Sequence, residues 1–147
     1  MIATFGTTAA RAQDVMGVWN VVSKPNVATT CGVKTANSAY QWVVSRNGSA
    51  ISIKVLGTTS FPVLEGRVLE ETADRSGNMT GVSFVVHGSG SSPLGSGVAG
   101  VYPGSVFRVT TNNNTLKGTR YYLGSVPRAG GGTVLCVDEY DVSGTKQ

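Results

Sequence analysis

Alternation of apolar and polar residues with a period of two recurs in eight segments of this chain, and that pattern restricts the fold more than any other feature. The segments are Val15–Ser23, Ala39–Arg46, Ala50–Leu56, Val63–Glu71, Met79–His87, Ser105–Thr111, Thr115–Leu123 and Thr133–Val142. Turn signals separate them. Asn47-Gly48 is a hairpin dipeptide because both residues tolerate positive φ, and the runs Asp74–Asn78, Asn112–Asn114 and Gly130–Gly132 are rich in turn formers. Composition agrees. Val occurs 22 times against 7 Leu and 3 Ile, and Gly, Ser and Thr together supply 51 of 147 residues. β-Branched residues favour strands and Gly/Ser favours turns, so a helical bundle, a coiled coil and an acidic disordered tail are excluded.

Sequential hairpins joined by short turns make a meander, and eight antiparallel strands suffice to close a barrel around a small interior. Closure also hides the edges that Val-rich strands would otherwise offer to other chains. The expected fold is therefore all-β, a single-domain eight-stranded antiparallel up-and-down barrel, with a two-sheet β-sandwich as the alternative. Residues 13–147 form the domain. Residues 88–104 form a Gly/Ser-rich loop, either a lid over the barrel mouth or a solvated excursion.

Residues 1–12 read as a signal-peptide remnant or an N-terminal arm. The run Thr8–Gln13 carries small residues of the kind that precede a cleavage site, although a basic start and a long apolar core are missing. Cys31 and Cys136 fit an oxidising compartment as a disulfide. Two free thiols, or part of a metal site, are the alternatives, and one His with two distant Cys is a poor metal set. A secreted or periplasmic, bacterial location follows as an expectation. No apolar run is long enough for a transmembrane helix. The formal charge is +4, but the basic residues are scattered from Lys24 to Arg128 without a patch or interleaved aromatics, so no nucleic-acid partner is expected.

Gly17-Val18-Trp19, at the start of the first strand of an eight-stranded meander, resembles the G-x-W opening of calycin-type barrels: lipocalins, fatty-acid-binding proteins and avidins. The resemblance is architectural and covers residues 15–142. It implies that Trp19 packs across one end of the barrel and that the interior holds a small, often apolar ligand. Departures are visible. Lipocalins carry a helix after the eighth strand and set a basic residue from a late strand against the Trp. The segment Thr133–Val142 offers no base, which leaves Arg120 for that place. The interior Trp series of avidins is reduced to Trp19 and Trp42, so biotin is not expected.

Candidate ligand-lining residues are the strand aromatics Trp19, Tyr40, Trp42, Phe84, Phe107, Tyr122 and Tyr140, with Arg120 as a polar anchor. Tyr40 and Trp42 share a face that Arg46 joins at its turn end. Cys136, Asp138, Tyr140 and Val142 alternate against Leu135, Val137, Glu139 and Asp141, and neither set is cleanly apolar. A carboxylate turned inward would be costly unless paired, and Arg120 is the partner expected for Asp138. His87, the only histidine, ends a strand; it is a candidate acid–base or a strand-terminal side chain bonded to nearby backbone. No nucleophile elbow, phosphate loop, dinucleotide fingerprint or metal cluster is present, and no cofactor is expected. Glycosylation-type triplets begin at Asn47, Asn78 and Asn113, all in turns. The leading expectation is non-catalytic binding of a small, largely apolar molecule inside the barrel. A cofactor-independent cyclase or isomerase, and a self-assembling extracellular protein forming homo-oligomers, are the alternatives.

Overall fold

The computed structural model describes residues 15–29, 37–57, 62–89 and 104–147. Cys31, the arm 1–12 and most of the Gly/Ser-rich segment lie outside these residues. The chain forms β1 (Gly17–Thr29), β2 (Ser38–Asn47), β3 (Ala50–Leu56), β4 (Val63–Ala73), β5 (Met79–Ser89), β6 (Gly104–Asn112), β7 (Thr115–Pro127) and β8 (Thr133–Lys146). Each strand pairs antiparallel with the next, and β1 pairs with β8, so the sheet closes into an eight-stranded up-and-down barrel. That ring of ladders rules out the sandwich.

Each of the eight alternating segments forms a strand, although β1 begins at Gly17 and not at Val15, and several run further than their patterns. β1 continues past Ser23 through Pro25, with a register shift between Pro25 and Thr29, because its backbone pairs with Asp138–Tyr140 of β8. β8 continues past Val142 through Ser143-Gly144-Thr145-Lys146, a polar run with no apolar alternation. It is held by β1 on one side and, through Thr145, by β7 on the other. Ladder hydrogen bonds, not side chains, set these ends. The first hairpin also differs from expectation. Asn47 pairs with Ala50, so the connection is Gly48-Ser49, and Gly48 takes φ +62°. The β4–β5 turn is fixed by Asp74, whose Oδ1 accepts from the backbone N–H of Ser76 at 2.8 Å and of Asn78 at 3.0 Å.

The barrel has two unlike ends. The β2–β3, β4–β5 and β6–β7 turns gather at the end where β1 starts, here called the turn end. The β7–β8 connection lies at the opposite, loop end. Apolar side chains fill the turn-end half and the middle: Trp19, Ile53, Leu64, Phe84 and Leu116 are all fully buried. Each contributes about 1.5–3 kcal/mol by leaving water. The strands coil tightly where inward positions lack a side chain. A Cβ on Gly66 would lie 1.8 Å from the Val85 carbonyl oxygen, and one on Gly118 would lie 2.2 Å from that of Arg108. Among the described residues no helix is long and apolar enough to cross a membrane.

Candidate functional site

The pairing settles which face of β8 turns inward. Cys136, Asp138, Tyr140 and Val142 are buried, while Asp141 is exposed and Glu139 half-buried. Two cross-strand rows then follow. Tyr140 sits beside Arg120, which sits beside Phe107; Asp138 sits beside Tyr122, which sits beside Ser105. Arg120 and Asp138 are thus diagonal neighbours on the inner wall, one position apart. The sequence expected them as partners, and the ladder brings them to one place.

Arg120 is held between two rings. Its guanidinium carbon lies 4.8 Å from the Tyr140 ring centroid and 5.6 Å from that of Phe107, and its Nε donates to Ser105 Oγ at 3.0 Å. Desolvated cation–π contacts of this kind are worth about 2 kcal/mol. The hydroxyls of Tyr40 and Ser23 are hydrogen-bonded to each other. Burial holds the Tyr40 phenol above the ordinary tyrosine value, while the Ser23 hydrogen bond and the Arg120 charge oppose that rise. Tyr40 is therefore neutral throughout the physiological range, able to donate or accept. Because its folded pKa lies above the unfolded value, its contribution to stability is complete below pH 10 and is lost as pH rises through the folded pKa. Urea midpoints measured from pH 8 to 11 are expected to fall only above pH 10, and Tyr40→Phe is expected to reduce that alkaline fall.

Trp42 stacks against Tyr40 (centroids 6.4 Å apart, planes at 18°) and meets Phe107 edge-on (5.1 Å, 85°). Its indole N–H is buried and has no hydrogen-bond partner among the described residues. Trp19 differs: its N–H donates to the Val15 carbonyl at 2.9 Å, closing the turn end. The cation over Trp19 is not Arg120, as the sequence expected, but Lys146, whose Nζ lies 5.7 Å from the ring centroid. The expectation stopped β8 at Val142, four residues short of that lysine.

The other expected residues separate by depth. Phe84 belongs to the fully buried apolar half, and Tyr122 is half-buried on the inner wall. His87 is exposed on the outer wall, between inward Val86 and Gly88. Arg46 is half-buried in phase with Tyr40 and Trp42 at the turn end of that face, where it pairs with Glu71 and donates to the Gly48 carbonyl at 2.7 Å. Cys136 is not a free thiol.

Ser23 and Ser105 were not singled out from the sequence. The signal for both was present, since each continues an inward alternation, Trp19-Val21-Ser23 and Ser105-Phe107-Val109. The loop-end half therefore has a polar inner wall of Ser23, Tyr40, Ser105, Arg120, Asp138 and Tyr140 above an apolar floor. Such a layer can orient a small molecule by donors and acceptors while the rings flank it. Comparison of the chain with protein-family models, with curated proteins and with solved structures finds no match.

Proposed function

We propose that this protein binds a small, largely apolar molecule in the barrel interior and does not turn it over. The observation that supports this most is the placement of Arg120 and Asp138 inside the barrel, at 9% and 0% exposure. Burying two charges costs several kcal/mol of desolvation, and well-packed apolar residues in their place are often more stable. A cylinder needing only to be stable would carry Val or Leu there, as the other half does. The likeness to calycin-type barrels adds to this reading, and a secreted or periplasmic location goes with it. Native mass spectrometry of protein purified from its source is expected to show the folded chain with a bound small molecule. A mass equal to the bare polypeptide in every preparation would overturn the reading.

The same proposal includes a Cys31–Cys136 disulfide, which closes a loop of about 105 residues. Reduction under native conditions is expected to lower stability by about 2–4 kcal/mol, read as a drop in urea midpoint. A reduced protein with an unchanged midpoint would contradict the latch.

Self-assembly is the second reading. It is favoured by Leu123, Val137 and Leu135 (70% exposed) on the outer wall of the β7–β8 hairpin. The native mass spectrum also decides this, through subunit number.

A further inference from the structure

Resting on the reading of the interior as a binding site, we infer that its ligand is a neutral, planar molecule presenting one carbonyl-type acceptor to the indole N–H of Trp42. The first ground is that N–H itself. It is at 0% exposure with no acceptor in reach among the described residues, and an unsatisfied buried donor costs about 1–3 kcal/mol. The other indole shows that this chain satisfies a buried N–H where none is needed for a ligand, through Val15. A donor left open at the heart of an aromatic cluster calls for an acceptor from outside the chain.

The second ground is shape. Tyr40 and Trp42 lie nearly parallel and Phe107 stands at right angles to both, so the aromatic cluster to which the Trp42 indole belongs is built of flat rings. Flat faces match a conjugated ring system better than a flexible chain. The third ground is charge. The described loop-end inner wall carries one guanidinium and one carboxylate, so a ligand charge would enter an already balanced interior and stay uncompensated. At the loop end Ser38, Gly88, Ser105 and Gly124 are small residues at inward positions of the alternation.

The test uses the full chain labelled with 15N and the two indole N–H resonances, with Trp19 as internal control. Two probes are titrated: 2-acetylnaphthalene, and 2-isopropenylnaphthalene, in which a methylene replaces the carbonyl oxygen. The ketone is expected to move the Trp42 indole proton downfield, leave Trp19 in place, and bind about tenfold more tightly than the hydrocarbon, since one satisfied donor is worth about 1.4 kcal/mol. Trp42→Phe is expected to erase that preference while hydrocarbon binding persists. If that variant does not fold, the wild-type resonances alone carry the result. Equal binding of both probes with an unmoved Trp42 signal overturns the acceptor and leaves interior binding standing. Tighter binding of 2-naphthoate than of the ketone overturns neutrality. Failure of both probes overturns the inference, and interior binding falls with it only if source material is also empty.

Discussion

Gly66→Ala is expected to lose more than about 4 kcal/mol of stability, most of the margin of a protein at the lower end of the ordinary range of about 5–15 kcal/mol. The added carbon would sit 1.8 Å from the Val85 carbonyl oxygen and 2.8 Å from the Val86 Cα. Both are backbone atoms of the paired strand, so no side-chain rotation relieves the clash. The β4–β5 ladder around Gly66↔Val86 has to separate, and that ladder is one link of a closed ring. Gly48→Ala is the matched control. It meets nothing within 4 Å and bears only the strain of φ +62°, about 1 kcal/mol. Urea unfolding of the two variants measures the difference. Equal midpoints would mean that β4 and β5 do not approach as described.

Arg120→Leu is expected to cost about 3–5 kcal/mol, because it strips the loop-end wall of its cation while the Asp138 carboxylate stays fully buried. It also removes the charge between Phe107 and Tyr140 and the hydrogen bond to Ser105. The informative variant is the double one. Arg120→Leu with Asp138→Leu leaves no buried charge, and its stability is expected to return to the wild-type value or exceed it. Binding of 2-acetylnaphthalene to the double variant is expected to weaken. Regained stability with weakened binding marks the charged layer as present for the ligand. A double variant as unstable as the single one, measured by the same urea titration, would mark the layer as part of what holds the strands together.

The fold was legible because burial on one side of a strand imposes a period of two, and each of the eight segments displayed it. Strand ends were less legible. Ser143–Lys146 has no pattern of its own and is a strand because two neighbours offer backbone partners, one of them, β1, more than a hundred residues away in the chain. The error at Trp19 followed from that. With β8 ending at Val142, Arg120 is the nearest available cation, and Lys146 lies beyond the alternating pattern. The inner layer was half legible. Tyr40, Trp42, Phe107, Arg120 and Tyr140 stand out by residue type. On β8, however, Cys136-Asp138-Tyr140 and Leu135-Val137-Glu139 are equally mixed, and only the register chooses between them. Exposed Leu135 and buried Asp138 reverse the usual ordering, which is why hydropathy failed there.

The seam between β1 and β8 bears on how the molecule comes into being. Trp19 stands opposite Lys146 across that seam, and the backbone N–H of Gln147 donates to the Val18 carbonyl at 2.9 Å, joining some of the most distant residues of the chain. A nascent polypeptide therefore can build hairpins as it emerges, but it holds a curled, open sheet with two bare borders until synthesis has passed Lys146. Contacts so remote in sequence are slow to form. During that interval the Val-rich borders are available to other chains, so the dangerous period for aggregation is the wait for the last strand rather than the finished state.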